Sequence, residues 1–498
     1  MNKLYRRLAG FLGSPLFFYI ILGAFVLQVL WLIFSAIYPM AFDEDFHLGV
    51  IRVYADQWSP FLVDQPPGAD QFGALARDPS YLFHYLFSWP YRLAMQFTHN
   101  EAFVVVFLRL LNGALFTWGL VLMRRVLLRA KASAALAHLV LALFILIPIV
   151  PQLAAHINYD NAIMVLLPLM CLCVFSLVDG FRRQELCASA LMSFIAVCMF
   201  MSLIKYAALP FIIAAVIFLL VMLVWHFHGR FKKLLPSLRR GFETMESWVR
   251  LSLIAACLAG GVLFAERYVV NMIVYRTPVP DCGQVLTVEQ CSAYGPWGRD
   301  YWYEKTRSAD FVANPVEYLD LWMRGMWYRM FFAVNGPSSD YTNYQPLPVP
   351  SRTATVVFII GLAALLATIH RVFRDRTYLL FFGLIIAVYT VILFIEQFGM
   401  YRQTGQPVAI NGRYLLPVLP LLGVILGRAI GLVFDQLRLK YAKAIFSVLV
   451  MAAFLHGGGI QTFILRSDSS WYWPSPAINS LNNSARKVLV PITIEGQK

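Results

Sequence analysis

Runs of 17 to 23 apolar residues recur along this chain, each about as long as a helix needs to cross a ~30 Å hydrocarbon layer. A chain built this way must satisfy its backbone hydrogen bonds inside helices, because lipid offers no partner. Of its 498 residues 59% are hydrophobic and 14% charged, which excludes a soluble globular enzyme, a disordered chain, a coiled coil and a disulfide-stapled secreted scaffold. The expected fold is an all-α polytopic membrane protein. About eleven transmembrane helices are predicted, near residues 15–37, 101–123, 133–150, 162–178, 187–204, 206–225, 249–265, 353–369, 377–395, 414–432 and 442–460. These form one transmembrane domain over 1–460, followed by a short tail, 461–498.

The 41 Lys and Arg against 27 Asp and Glu give a formal charge of +14, which in a soluble protein would suggest nucleic acid. Their placement points elsewhere. With the N-terminus cytoplasmic, the inside segments hold 22 Lys and Arg and 6 Asp and Glu, leaving 19 and 21 for the rest. That asymmetry obeys the positive-inside rule and sets the C-terminus outside. A polybasic lipid patch at 230–240 is the rival reading of part of the excess. The first span has no small-residue cleavage site after it and reads as an uncleaved anchor.

The exterior segments are then two long loops, 38–100 and 266–352, shorter links at 151–161 and 396–413, and the tail. Within the first loop the aromatic stretch Tyr81 to Phe97, with Trp89 and Tyr91, suits a helix lying in the membrane interface. No repeat relates the two halves, which counts against an inverted-repeat transporter. Cys171, Cys173, Cys187, Cys198 and Cys257 sit in or beside spans and read as packing residues. Cys282 and Cys291 lie in the second exterior loop, where an oxidising compartment would join them; a metal site lacks a second Cys or His pair nearby.

Four exterior segments carry the reactive residue types. Directly behind the first span stand Asp43, Glu44, Asp45 and His47. If this segment opens a helix, Asp43, Glu44 and His47 fall on one side and can act on one ligand, by deprotonating a hydroxyl or by holding a divalent metal. The plainer reading is an acidic helix cap. The link 151–161 holds His156, Asn158, Asp160 and Asn161, where Asp160 could merely cap the next helix. Lys205-Tyr206 lies between two spans, and Arg413-Tyr414 stands at the entrance to another; both cations could simply snorkel. All four segments fall on one membrane face, so carboxylates and cations can meet in one cavity. His84 reads as an interfacial histidine, and Arg109 and Asn112 are the polar exceptions within otherwise clean spans. Phosphate-loop, HExxH, GxSxG, kinase and dinucleotide-binding patterns are absent from the sequence.

Together Asp43-Glu44-x-x-His47, the Pro-Tyr stretch at 79–85, Asn158-Tyr159-Asp160, Lys205-Tyr206 and Gly412-Arg413-Tyr414-x-Leu416-Pro417 resemble the GT-C class of membrane glycosyltransferases, in particular bacterial predicted membrane proteins with an early D-E-x-x-H and a late G-R-Y-x-L-P. The resemblance runs from 15 to 432. It implies an inverting transferase of the cell envelope, in the bacterial cytoplasmic membrane, that moves a sugar from a polyprenyl-phosphate carrier to an exterior glycan, lipid or protein. Asp43, with Glu44, would be catalytic; His47, His156 and Asp160 would line the acceptor side; Lys205, Arg413 and Tyr414 would hold the donor phosphate. A divalent metal on Asp43, Glu44 and His47 is left open. The pattern departs from the class in lacking a large soluble C-terminal domain. The alternative is a flippase, transporter or non-catalytic component of envelope polysaccharide assembly.

Overall fold

The computed structural model describes residues 2–40, 43–331 and 347–492. Among these residues the chain is built from helices, and its one β-bridge joins Ala36 to Tyr472. Among the described residues nine helices are long and apolar enough to cross a membrane: Pro15–Ser35, Glu101–Arg129, Asp160–Arg182, Tyr206–Phe227, Ser247–Tyr275, Pro348–Phe373, Thr377–Thr404, Gly412–Gln436 and Tyr441–Arg466.

Two of the eleven expected spans come out shorter, as helices Ala134–Ile145 and Ala188–Ile204. For the first the reason lies in the link that follows. Asn112 stands about 16 Å down the helix Glu101–Arg129 from its start, at ~1.5 Å per residue. Its Oδ1 accepts from Asn158 N (3.3 Å) and Asn161 Nδ2 (3.1 Å), so the 151–161 link dips into the bundle to reach it. A short helix suffices to meet a link that comes down. Two turns further along, close approach of Glu101–Arg129 to Asp160–Arg182 needs Gly119, where a Cβ would lie 2.5 Å from the Met164 carbonyl.

The elements around the site are labelled as follows: α1, Pro15–Ser35; α2, Glu44–Ala55; α3, Leu82–Phe97; α4, Glu101–Arg129; α5, Ala134–Ile145; α6, Asp160–Arg182; α7, Ala188–Ile204; α8, Leu209–Phe227; α9, Ser247–Phe264; α10, Pro315–Tyr328; α11, Pro348–Phe373; α12, Thr377–Thr404; α13, Leu419–Gln436; α14, Lys440–Leu455; α15, Pro476–Leu489. Helix α3 is amphipathic. Leu86, Trp89, Leu93 and Phe97 form its exposed stripe, while Phe83, His84 and Phe87 are buried. Arg92 on this helix donates to the Ala55 (2.8 Å) and Tyr54 (2.9 Å) carbonyls, closing the C-terminus of α2.

The C-terminal region packs back onto the bundle. After a break at Gly457 and Gly459, Ile37 N donates to Trp471 O (2.8 Å), Trp473 N to Ser35 O (3.0 Å) and Trp31 Nε1 to Asn482 Oδ1 of α15 (3.0 Å). These bonds pin the exit of α1 just before Asp43. In the second long loop Cys282 and Cys291 form the expected disulfide, with Cα atoms 5.8 Å apart. Tyr294 follows it and packs on Phe46, ring centroids 5.9 Å apart, so the disulfide segment leans over the start of α2. Residues 332–346 of that loop and 493–498 of the tail lie outside the described residues.

Candidate functional site at the mouth of the bundle

The site is organised by a buried ion pair. Glu44, in the first turn of α2, and Arg109, two turns into α4, are both fully buried. Arg109 grips the carboxylate with two bonds, Nε to Oε1 (2.8 Å) and Nη2 to Oε2 (2.7 Å), and donates as well to the Ala36 (2.6 Å) and Ile37 (3.0 Å) carbonyls at the end of α1. Glu44 also accepts from Met40 N (3.0 Å) and Ile157 N (3.2 Å). One carboxylate thereby joins α1, α2, α4 and the 151–161 link. Burial alone would raise its pKa; the Arg109 guanidinium outweighs that and holds the carboxyl below its usual range. With every lone pair spent, Glu44 is placed as a structural anchor, which corrects the expectation that it works beside Asp43.

Asp43 faces the other way. It occupies the N-cap position of α2 in a left-handed conformation (φ 62°), but its side chain makes no capping hydrogen bond. Instead Oδ2 accepts from Arg413 Nη2 at 2.7 Å. The Asp43 side chain keeps 60% of its exposure and Arg413 only 10%, so a deeply set cation holds a carboxylate that stays accessible. Arg413 stands in the short helical turn Gly412–Val418 before α13. Gly412 is required there, because a Cβ would collide with the Met326 carbonyl of α10.

The other two segments join through rings. Lys205, in the break between α7 and α8, donates its Nζ to Asp160 Oδ1 and lies over the rings of Tyr159 (4.7 Å) and Tyr414 (5.1 Å). The Arg413 guanidinium lies 5.3 Å from the same Tyr414 ring, and Tyr389 of α12 holds the Tyr414 carbonyl at 2.9 Å. Asp160 Oδ2 is buried without a hydrogen-bond partner among the described residues. Lys205 and Arg413 are therefore paired, aromatic-flanked and almost fully enclosed, unlike snorkelling side chains.

Histidines line the neighbouring wall. His47 Nδ1 and His84 Nε2 are 2.9 Å apart, one ring nitrogen donating to the other, and the Tyr159 ring stands edge-on to His47 at 4.5 Å. Burial, then His84 and the nearby cations, push the His47 imidazole well below its ordinary pKa; burial drives His84 down to about 3 and His156 to about 4, the latter against the pull of Glu44. All three are neutral near pH 7. His156 faces inward, with Nδ1 on the Gln152 carbonyl, and supports the link rather than opening onto Asp43.

Asp43, Asp160, Lys205, Arg413 and Tyr414 thus lie together in one linked set of contacts, whereas Glu44 turns inward. The trio considered for a metal does not converge: Glu44 goes to Arg109, His47 to His84 and Asp43 to Arg413. Among the described residues no group of three or more His, Cys, Asp or Glu side chains could share a metal ion. Sequence reasoning passed over three contributors. Arg109 and Asn112 were visible only as polar residues inside an apolar span, a costly placement that signals a partner. His84 gave no signal beyond its type.

Residues 79–422 match the model of a family described as "Predicted membrane protein (DUF2142)". The matched segment takes in Arg109, Asp160, Lys205 and Arg413, and begins after Asp43. No curated protein matches the chain.

Proposed function

The chain belongs to the DUF2142 family of predicted membrane proteins; from the site just described we propose a glycosyltransferase activity of the GT-C type: transfer of a sugar from a polyprenyl-phosphate carrier to a hydroxyl acceptor at the exterior face of a bacterial cytoplasmic membrane. In this reading the helices Ala134–Ile145 and Ala188–Ile204 complete eleven passes, and the charge asymmetry sets the N-terminus inside. The observation that carries the reading is the Asp43–Arg413 contact, with Lys205 against the same Tyr414 ring as Arg413.

The chemistry follows from what each group can hold. A phosphate leaving group needs cations that offer N–H donors in a partly dry cavity, which Arg413 and Lys205 supply. Both are balanced by carboxylates, Lys205 by Asp160 and Arg413 by Asp43, and an incoming phosphate competes with Asp43 for the guanidinium. Donor binding then frees Asp43 at the position where an acceptor hydroxyl approaches. The hydroxyl oxygen bonds to the anomeric carbon as the carbon–phosphate oxygen bond breaks; its proton passes to Asp43, the polyprenyl phosphate departs, and the anomeric configuration inverts. Neutral His47 and His84, with Tyr159, wall the acceptor side.

Kinetics with varied polyprenyl-phosphate-sugar test the reading. Arg413→Ala should weaken donor use by about tenfold or more, since a charge-assisted hydrogen bond contributes roughly 1.5–3 kcal/mol, and Arg413→Lys should retain part of it because an ammonium cannot grip two oxygens at once. Acceptor dependence should change little. Unchanged donor dependence in both variants would remove Arg413 from phosphate binding and the reading with it.

A further inference from the structure

Between α5 and α13 lies a cavity of about 590 Å³ that no side chain of the candidate site lines. It follows α13 from Leu419 to Asp435, about 24 Å at ~1.5 Å per residue. Leu136, Leu143, Phe144, Phe331, Leu422 and Val450 are typical of its walls. An apolar space of this size within a helix bundle forfeits packing along its whole length unless a chain fills it.

Charge enters the cavity at one end only. Lys131, Arg376, Arg428 and Lys443 gather there with a single carboxylate, Asp435. Lys443 lies 3.4 Å from Asp435, so that acid is already engaged. Arg376 donates to the Lys131 carbonyl (3.3 Å) and Arg428 to those of Val372 (3.2 Å) and Arg371 (3.5 Å); neither has a carboxylate within ion-pair distance among the described residues. A general excess of cations on this face is what topology requires. Topology does not require that they ring the mouth of an apolar slot.

We propose that this slot is a binding site for an anionic glycerophospholipid of the cytoplasmic leaflet, its phosphate on Arg376 and Arg428 and one acyl chain laid along α13. The polarity of the cavity fixes the occupant's direction: head at the cations, tail toward Phe331. A polyprenyl carrier with its phosphate near Arg413 would do the reverse and drive the apolar end of its tail among four cations. The net positive mouth likewise selects an anionic head over a zwitterionic one. The inference is independent of the proposed transferase activity.

The test uses the full chain in phosphatidylcholine nanodiscs with and without phosphatidylglycerol, then native mass spectrometry after detergent extraction. One phosphatidylglycerol should stay bound per chain, in preference to phosphatidylcholine by about tenfold or more. Arg376→Gln with Arg428→Gln should abolish the preference. Ala444→Trp, which plugs the slot from α14 and leaves the cations in place, should lower retention of either lipid, and gel filtration reports whether each variant stays folded. Equal retention of the two lipids, retention unchanged in all variants, or a polyprenyl phosphate held in the slot would overturn the proposal.

Discussion

Replacing Glu44 by glutamine separates architecture from chemistry at this site. The carboxylate oxygens receive four N–H groups, from Arg109 Nε and Nη2, Met40 N and Ile157 N, all between 2.7 and 3.2 Å. Glutamine keeps one acceptor oxygen and turns an NH2 toward donors that need an acceptor. It also leaves the Arg109 charge without its counter-ion at zero exposure. Breaking one partner of a buried pair costs about 3–5 kcal/mol. The thermal midpoint of detergent-solubilised protein should therefore fall by many degrees for Glu44→Gln, while Asp43→Asn, at a largely exposed carboxylate, should change stability by less than about 1 kcal/mol. Adding Arg109→Met to Glu44→Gln should cost less than the sum of the two single changes, since the uncompensated charge is gone. A Glu44→Gln protein within about 0.5 kcal/mol of the parent would refute the anchoring role.

Acid should destabilise the fold in two stages. His84 and His156 are neutral when folded, with values pushed down to about 3 and about 4, whereas the unfolded groups titrate near 6.5. The unfolded chain binds more protons below that value, so stability should fall as pH drops from about 6.5, at up to ~1.4 kcal/mol per pH unit for each histidine. Glu44, held low in the fold, should add its loss only below the usual carboxylate range; a melting midpoint flat from pH 7 to pH 5 would contradict the histidine part. Reducing Cys282–Cys291 should lower stability by about 2–3 kcal/mol in the chain-entropy model, read as a shifted melting curve with and without reductant; thiol labelling of both residues in unreduced folded protein would exclude the bond.

Much of the organisation was legible because lipid leaves so few choices. Long apolar runs between charged breaks locate the nine long helices, and the reactive residue types concentrate in the breaks because charge is costly elsewhere. The same cost makes Arg109 informative: an arginine two turns inside a span must have an acid, and Glu44 is that acid. Spacing along α2 could not reveal it. The i, i+3, i+4 rule places Asp43, Glu44 and His47 as neighbours on a helix surface, but Asp43 precedes the first helical turn in a left-handed conformation, which swings its carboxylate toward Arg413 and leaves Glu44 to face the core. The short helix Ala134–Ile145 was equally hidden, because apolarity extends through residues 146–155 while three asparagines pull the following link down. The packing of α15 against Trp31 depends on a hydrogen bond across the whole length of the chain, which no local pattern encodes.

The most direct measurement of the proposed chemistry is transfer of labelled sugar from a polyprenyl-phosphate donor by the purified protein in liposomes, comparing the parent with Asp43→Asn. Asparagine keeps the size of the side chain and an acceptor for Arg413, but cannot take the acceptor's proton. The account predicts loss of transfer by about 10²-fold or more, with an unchanged melting midpoint and donor binding at least as tight as the parent's, since asparagine competes less for Arg413. Normal turnover by Asp43→Asn, or a parent protein that binds the donor and releases no sugar to any hydroxyl acceptor, would contradict it.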